Sequence, residues 1–184
     1  MSDTTPAPDQ QPGQPGPQGQ TGPVMRVLNQ YVKDLSFENP NAPEAVRPDL
    51  PAPQVEVAVD VNARAVAPDQ FEVELSCSAT ATRDGKTVFV VETNYAGHFL
   101  IQNVPAEAME SVLLVTAPQL LFPFARQVIA TSTRDGGFMP LMLEPLDFAG
   151  MYQMQRAQAQ QGGEQQAGQA GYGPAGEAPE VGQA

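Results

Sequence analysis

The sequence predicts an α+β fold: a four-stranded antiparallel sheet followed by helices. Three observations predict it. Between residues 27 and 95, four segments alternate apolar and polar side chains with the period of two of a half-buried strand. Turn-forming residues separate these segments. Beyond them, apolar residues recur at three- and four-residue steps, the period of a helix with one buried face. Strands first and helices after argue for segregated layers rather than alternating βαβ units.

The first strand is expected over residues 27–37. Strict alternation puts Tyr31, Lys33, Leu35 and Phe37 on one face and Val32, Asp34, Ser36 and Glu38 on the other. The run NPNAP at residues 39–43 breaks it. Val55, Val57, Val59 and Val61 mark a second strand, with Glu56 and Asp60 opposed to them. Phe71, Val73, Leu75, Cys77, Ala79 and Ala81 mark a third, opposed by Glu72, Glu74 and hydroxyl residues. Asp84-Gly85 is a hairpin turn signal, and the fourth strand follows over residues 86–95. Hairpin-scale connections imply an antiparallel sheet with one wet face.

Met109, Val112, Leu113, Thr116, Leu120, Phe124 and Val128 then recur at helical spacing. Pro118 and Pro123 lie inside that pattern, so a long kinked helix or two abutting helices are expected. Arg134-Asp-Gly-Gly ends the helical stretch, and a loop with Pro140 and Pro145 follows. Asp147 is placed to cap a last helix over residues 148–159. Residues 1–23 are almost wholly Pro, Gln, Gly, Thr and Asp, and residues 160–184 are Gln, Gly, Ala and Glu. Neither stretch has the apolar side chains to offset the entropy of ordering, so both are expected to be disordered around a domain at 24–159.

The chain has 9 Lys and Arg against 21 Asp and Glu, a formal net charge of −12. Such a chain repels phosphate backbones, so nucleic acid is disfavoured as a partner and a basic protein is favoured. The opening residues lack a basic stretch followed by an apolar one, and no unbroken apolar run reaches membrane-spanning length. A soluble, cytoplasmic protein with no direct membrane insertion is therefore expected. The single cysteine, Cys77, allows no internal disulfide and fits a reducing compartment.

Catalytic chemistry finds few residues to use. His98 is the only histidine and is expected just past the fourth strand. Cys77 alternates with Val73, Leu75 and Ala79 and reads as a small buried hydrophobe rather than a nucleophile. Neither a phosphate-cradling loop nor calcium-loop spacing is present, so no catalytic residue, cofactor or metal is assigned. The surviving alternative is a small-ligand domain or enzyme with His98 as acid or base in a pocket between sheet and helices.

Two surfaces stand out instead. Asp34 and Glu38 share a face of the first strand, and Glu92 projects beside Val90 from the fourth. If those strands are neighbours, they form an acidic patch around an apolar spot, suited to a basic partner. Phe89, Val91, Thr93 and Tyr95 share the opposite face of the fourth strand. Phe99, Leu121, Phe122, Phe124, Phe138 and Met139 follow, and Met142, Met151 and Met154 add flexible apolar contacts. Core packing, an oligomer interface and a groove for varied partners all remain open for these residues, as does a plain oligomeric adaptor.

Three separated motifs in collinear order, YVKDLSFENPNAP at 31–43, LFPFAR at 121–126 and GFMPLMLEPLDF at 137–148, resemble the proteobacterial protein-export chaperone family SecB. The resemblance covers residues 26–155 and leaves out both tails. It implies a SecB-like α+β subunit with a lid-like final helix, assembled as a homotetramer that is a dimer of dimers. It implies binding of unfolded secretory preproteins without ATP. It also implies delivery to the translocation ATPase SecA, whose short basic zinc-bearing tail docks on the acidic sheet face. By position, the resemblance assigns Asp34, Glu38, Val90 and Glu92 to SecA binding, with Val90 where the family often has Leu. It assigns the client groove to Phe89, Val91, Thr93 and Tyr95, joined by Phe99, Leu121, Phe122 and Met139. Some relatives carry a tryptophan after the first strand, and this chain has none.

Overall fold

A computed structural model of the chain describes residues 22–167, with side-chain environments as far as residue 158. The arm at 1–21 and the tail at 168–184 lie outside the described residues, so the expectation of disorder there is not addressed. The α+β expectation holds. Strands β1 (Val24–Glu38), β2 (Gln54–Ala67), β3 (Gln70–Arg83) and β4 (Lys86–Gln102) form one antiparallel sheet in the order β1-β4-β3-β2. That order corrects one expectation. β2–β3 and β3–β4 are hairpins, but β1 and β2 lie at opposite edges, so residues 39–53 must cross the whole sheet. Asp84 and Gly85 both have positive φ, 50° and 72°, as the tight turn between β3 and β4 requires.

β4 also runs past its expected end at residue 95. Gly97 sits inside it because α-helical packing demands a missing side chain there. A Cβ at Gly97 would lie 2.6 Å from the Phe99 ring and 2.7 Å from Leu121. Glycine in a strand here marks close approach of a neighbour, not a stop.

One helical run, Ala106–Asp135, stands where a long kinked helix or two abutting helices are expected. It comprises α1 (Ala106–Ser111), a π-helical turn (Val112–Thr116) and α2 (Ala117–Asp135). In the π turn the Ala117 N–H bonds the Val112 carbonyl, five residues back. A widened turn before Pro118 accommodates a residue that has no N–H to offer the ladder. The buried stripe of α2 is Ala117, Leu121, Ala125, Ile129 and Thr133 at steps of four, joined by Phe122 and Ala130. Leu120 and Phe124 are 45% and 49% exposed, so the buried face lies one residue out of phase with the expected one. The run is also apolar and long enough to cross a membrane, with a mean hydropathy of 1.4 over 18 residues. The expectation that no unbroken apolar run has that length still holds, because Thr116, Gln119 and Arg126 interrupt the apolar residues of the helix, whose buried stripe lies on the sheet.

The core is this stripe against one sheet face: Val73, Leu75, Cys77, Ala79 and Ala81 from β3 and Phe89, Val91 and Phe99 from β4. α3 (Phe148–Ala167) begins where Asp147 was expected to cap it, with Asp147 Oδ1 accepting from the Gly150 N–H at 2.9 Å. It extends eight residues past the boundary expected at 159. Phe148 anchors it edge-on to Phe122 at 5.9 Å, and the Tyr152 hydroxyl donates to Glu110 at 2.8 Å.

Candidate binding surfaces on two faces of one sheet

The crossing loop turns one end of the sheet–helix layer into a groove. A cavity of about 660 Å³ lies between residues 45–53 of that loop and residues 137–141 after α2. Phe89 forms its floor, Val55 opens it toward edge strand β2, and Phe138, Met139 and Leu141 form its far wall. The Phe89 ring packs tilted against Phe138 at 4.9 Å and stacks on Phe37 at 5.9 Å. The far wall is tethered by Thr133, whose buried hydroxyl accepts from the Leu141 N–H at 2.9 Å and donates to the Ile129 carbonyl at 3.0 Å. The loop wall is tethered by Arg83, which donates to the Ala45 carbonyl at 3.3 Å.

The eight side chains expected in a client groove separate into two groups. Phe89 and Met139 line the cavity, and Met139 is 86% exposed. Val91, Thr93, Phe99 and Leu121 are fully buried between the sheet and α2, and Tyr95 and Phe122 nearly so. They are core in this chain, because α2 lies directly over the central strands and the groove opens only where the helix has ended. Tyr95 donates to Gln30 at 3.3 Å and stacks on Phe124 at 6.1 Å. Sequence reasoning missed Thr133 and the wall at 45–53. The only signal for the wall was the density of Pro48, Pro51 and Pro53.

The opposite face of the sheet brings the four expected acidic-patch residues together. β1 and β4 are neighbours, with Glu38 paired to Val90, Ser36 to Glu92 and Asp34 to Asn94. Asp34, Glu38 and Glu92 are exposed, and among the described residues none of them has an ion-pair partner.

Strict alternation along β1 does not survive. A bulge between Val32 and Asp34 inserts Lys33, so Val32 pairs with Tyr95 and Tyr31 with Ala96. Tyr31 and Lys33 therefore share the face of Asp34, and Val32 shares that of Leu35 and Phe37. The Tyr31 hydroxyl donates to Glu72 Oε1 at 2.5 Å, and Arg64 reaches Glu72 Oε2 at 2.6 Å. Lys33 reaches Glu74 at 2.5 Å and Glu72 at 3.5 Å. The Tyr31 hydrogen bond, with Arg64 and Lys33 behind it, holds the Glu72 carboxyl below the ordinary range against the opposing effect of burial.

The reading of His98 as acid or base between sheet and helices is corrected. Gly97 and Phe99 face α2, so His98 between them faces away, paired to Glu72 and Asn29 on the wet side. Cys77 pairs with Thr93 on the helix side, so the sheet separates the histidine from the thiol. Burial pushes the Cys77 thiol up to about 11, away from the reactive thiolate. Among the described residues, no group of three His, Cys, Asp or Glu could hold a metal.

Residues 18–159 match the family model described as preprotein translocase subunit SecB. The chain is 54% identical over 145 residues to the protein-export protein SecB of Maricaulis maris, covering 77% of this chain and 84% of that one. It is 48% identical over 147 residues to the SecB of Parvibaculum lavamentivorans (80% and 88% covered). It is 50% identical over 147 residues to that of Nitrobacter hamburgensis (79% and 92%). Among solved structures, a Mycobacterium tuberculosis SecB-like chaperone in complex with a ChAD peptide from an antitoxin shares the fold. Its TM-score is 0.56 at 17% identity, covering 66% of this chain and 90% of that one.

Proposed function

This chain belongs to the SecB family of protein-export proteins, and from that premise we propose that it is an ATP-independent holdase of the cytoplasm. It binds unfolded secretory preproteins in the groove and hands them to SecA through the acidic face. The observation that carries this reading is the separation of the two surfaces by one sheet. The groove, floored by Phe89, opens on the helix side, and Asp34, Glu38, Val90 and Glu92 cluster on the other.

An unfolded client exposes apolar segments, and each gains about 25 cal/mol per Å² that leaves water. One groove of this size gives weak, sequence-tolerant binding, and Met139 supplies an adaptable contact. Several grooves on one particle make later contacts intramolecular, so avidity rises without new chemistry. Holding the unfolded state draws the client away from folding by mass action. A basic tail on the motor is drawn to Asp34, Glu38 and Glu92, which have no ion-pair partner among the described residues. Val32 and Leu35 on edge strand β1, with Leu120 and Phe124 on α2, leave apolar surface exposed and support assembly into a homotetramer.

Refolding of a slow-folding preprotein tests the holdase reading, and unchanged refolding at excess chaperone would sink it. Met139→Glu should weaken client capture severalfold and leave SecA affinity within twofold. Asp34→Lys or Glu92→Lys should weaken SecA by about tenfold, ~1.4 kcal/mol, and spare the client. Equal loss of both activities in either variant would refute the separation of surfaces.

A further inference from the structure

We infer that the β1 bulge at Lys33, clamped by Glu72 on one face of the sheet and Thr93 on the other, positions Asp34 and Glu38 for docking; this rests on the SecA-docking reading above. The two halves of β1 are anchored on opposite faces. Tyr31 is tied to Glu72 on the wet face at 2.5 Å. Phe37 is tied on the buried face, 5.9 Å from Phe89 and 6.4 Å from Phe138. Residues 31 and 37 are an even number apart, so an unbroken strand would put both on one face. One inserted residue reconciles them, and Lys33 is that residue.

The bulge is held from both sides. Below the sheet, the buried Thr93 hydroxyl donates to the Asp34 carbonyl at 3.1 Å, at the place where a bulge disrupts the ladder. Above it, Glu74 and Glu72 draw the Lys33 ammonium away from its neighbour Asp34. The clamp thus has two effects on the docking face. It keeps Asp34, Ser36 and Glu38 pointing outward in register with Val90 and Glu92. It also occupies the cation next to Asp34, leaving the patch free for a basic partner. Were the register of residues 29–32 to extend through the strand, Asp34 and Glu38 would turn toward the core and Phe37 toward water.

Tyr31, Glu72 and Thr93 are therefore positioning residues, none of them part of the patch itself. Binding of purified SecA to the full-length chain, read by titration calorimetry, tests this. Tyr31→Phe should weaken SecA by roughly three- to tenfold, the loss of one hydrogen bond to a charged group, with client capture within twofold of the parent. Thr93→Val should weaken it comparably, and Thr93→Ser should restore it. Deleting Lys33 leaves a strand in which Val32 faces in and Asp34 faces out by simple alternation, so Tyr31→Phe should have no effect on SecA in that background. The inference is overturned if Asp34→Lys weakens SecA while Tyr31→Phe and Thr93→Val do not. It is also overturned if Tyr31→Phe costs as much without Lys33 as with it, which would mark a loss of general stability. If Asp34→Lys itself leaves SecA binding unchanged, the docking reading falls and takes the inference with it, a result distinct from both.

Discussion

At the residue scale, two buried polar side chains hold the arrangement, each through bonds that sequence pattern does not reveal. Thr133 sits where α2 turns a helical face to the core, and its hydroxyl satisfies the Leu141 N–H. Thr133→Val keeps the shape and leaves that N–H without a partner, an expected cost of about 1–3 kcal/mol in urea unfolding. Because Leu141 is part of the groove wall, client affinity should fall in the same variant, whereas a change confined to stability would show that the wall stands without its tether. Glu72 supplies the second case. Its folded carboxyl titrates below its ordinary value of 4.5, chiefly because the Tyr31 hydroxyl donates to the ionised form. The stabilisation is therefore complete above that value and is lost as pH falls below it through the depressed folded value. Tyr31 is raised above 10.0 by the same bond, so its share is lost as pH rises from there. Urea midpoints of the parent should drop more steeply as pH falls below 4.5 than those of Glu72→Gln, and parallel profiles would remove the carboxylate from the account.

At the element scale, the strands were legible because their side chains alternate and the faces differ in polarity. Val55 to Val61 and Phe71 to Ala81 needed nothing more. β1 was legible in existence but not in phase, since a bulge adds one residue without altering composition. The long helix was legible in extent, yet its buried stripe was not. Ala117, Ala125 and Thr133 are weak hydrophobic signals beside the half-exposed Leu120 and Phe124, and it is the small side chains that let α2 lie close to the sheet. The acidic patch was readable because it needs only local alternation on β1 and β4. The groove was only partly readable, since Val91 and Phe99 look like Phe89 in sequence and differ only in what α2 covers. Close approach makes its own prediction. Gly97→Ala forces a methyl group against the buried Phe99 ring and Leu121, and an expected cost of about 1–3 kcal/mol should appear as a lower urea midpoint with an unchanged slope. Full retention of stability would mean that α2 rides further from β4 than 2.7 Å contacts allow.

At the scale of the whole molecule, the surface that α2 and β1 leave uncovered decides what a single subunit can do. Leu120 and Phe124 are half-exposed on α2, and Val32 and Leu35 lie on a strand with no neighbour on its outer edge. Such surface is unfavourable in water, and the homotetramer proposed above, with like subunits about twofold axes, would cover it. A particle of four chains, four times 19.6 kDa, is the expected native mass. Phe124→Glu would place a charge in that proposed contact, where burial without a counter-ion is costly, and should shift the mass toward smaller species. The inner side of Phe124 only stacks on Tyr95, so the fold of each subunit should persist by circular dichroism. The consequence for function follows from avidity. A subunit released from the assembly keeps its own groove and acidic face but loses the neighbouring grooves that make later client contacts intramolecular. Short peptides should then bind the variant as they bind the parent, while arrest of preprotein refolding should weaken by tenfold or more, on the order of what linked sites contribute. Undiminished arrest by a monomeric Phe124→Glu chain would show that one groove suffices and that assembly serves some other end.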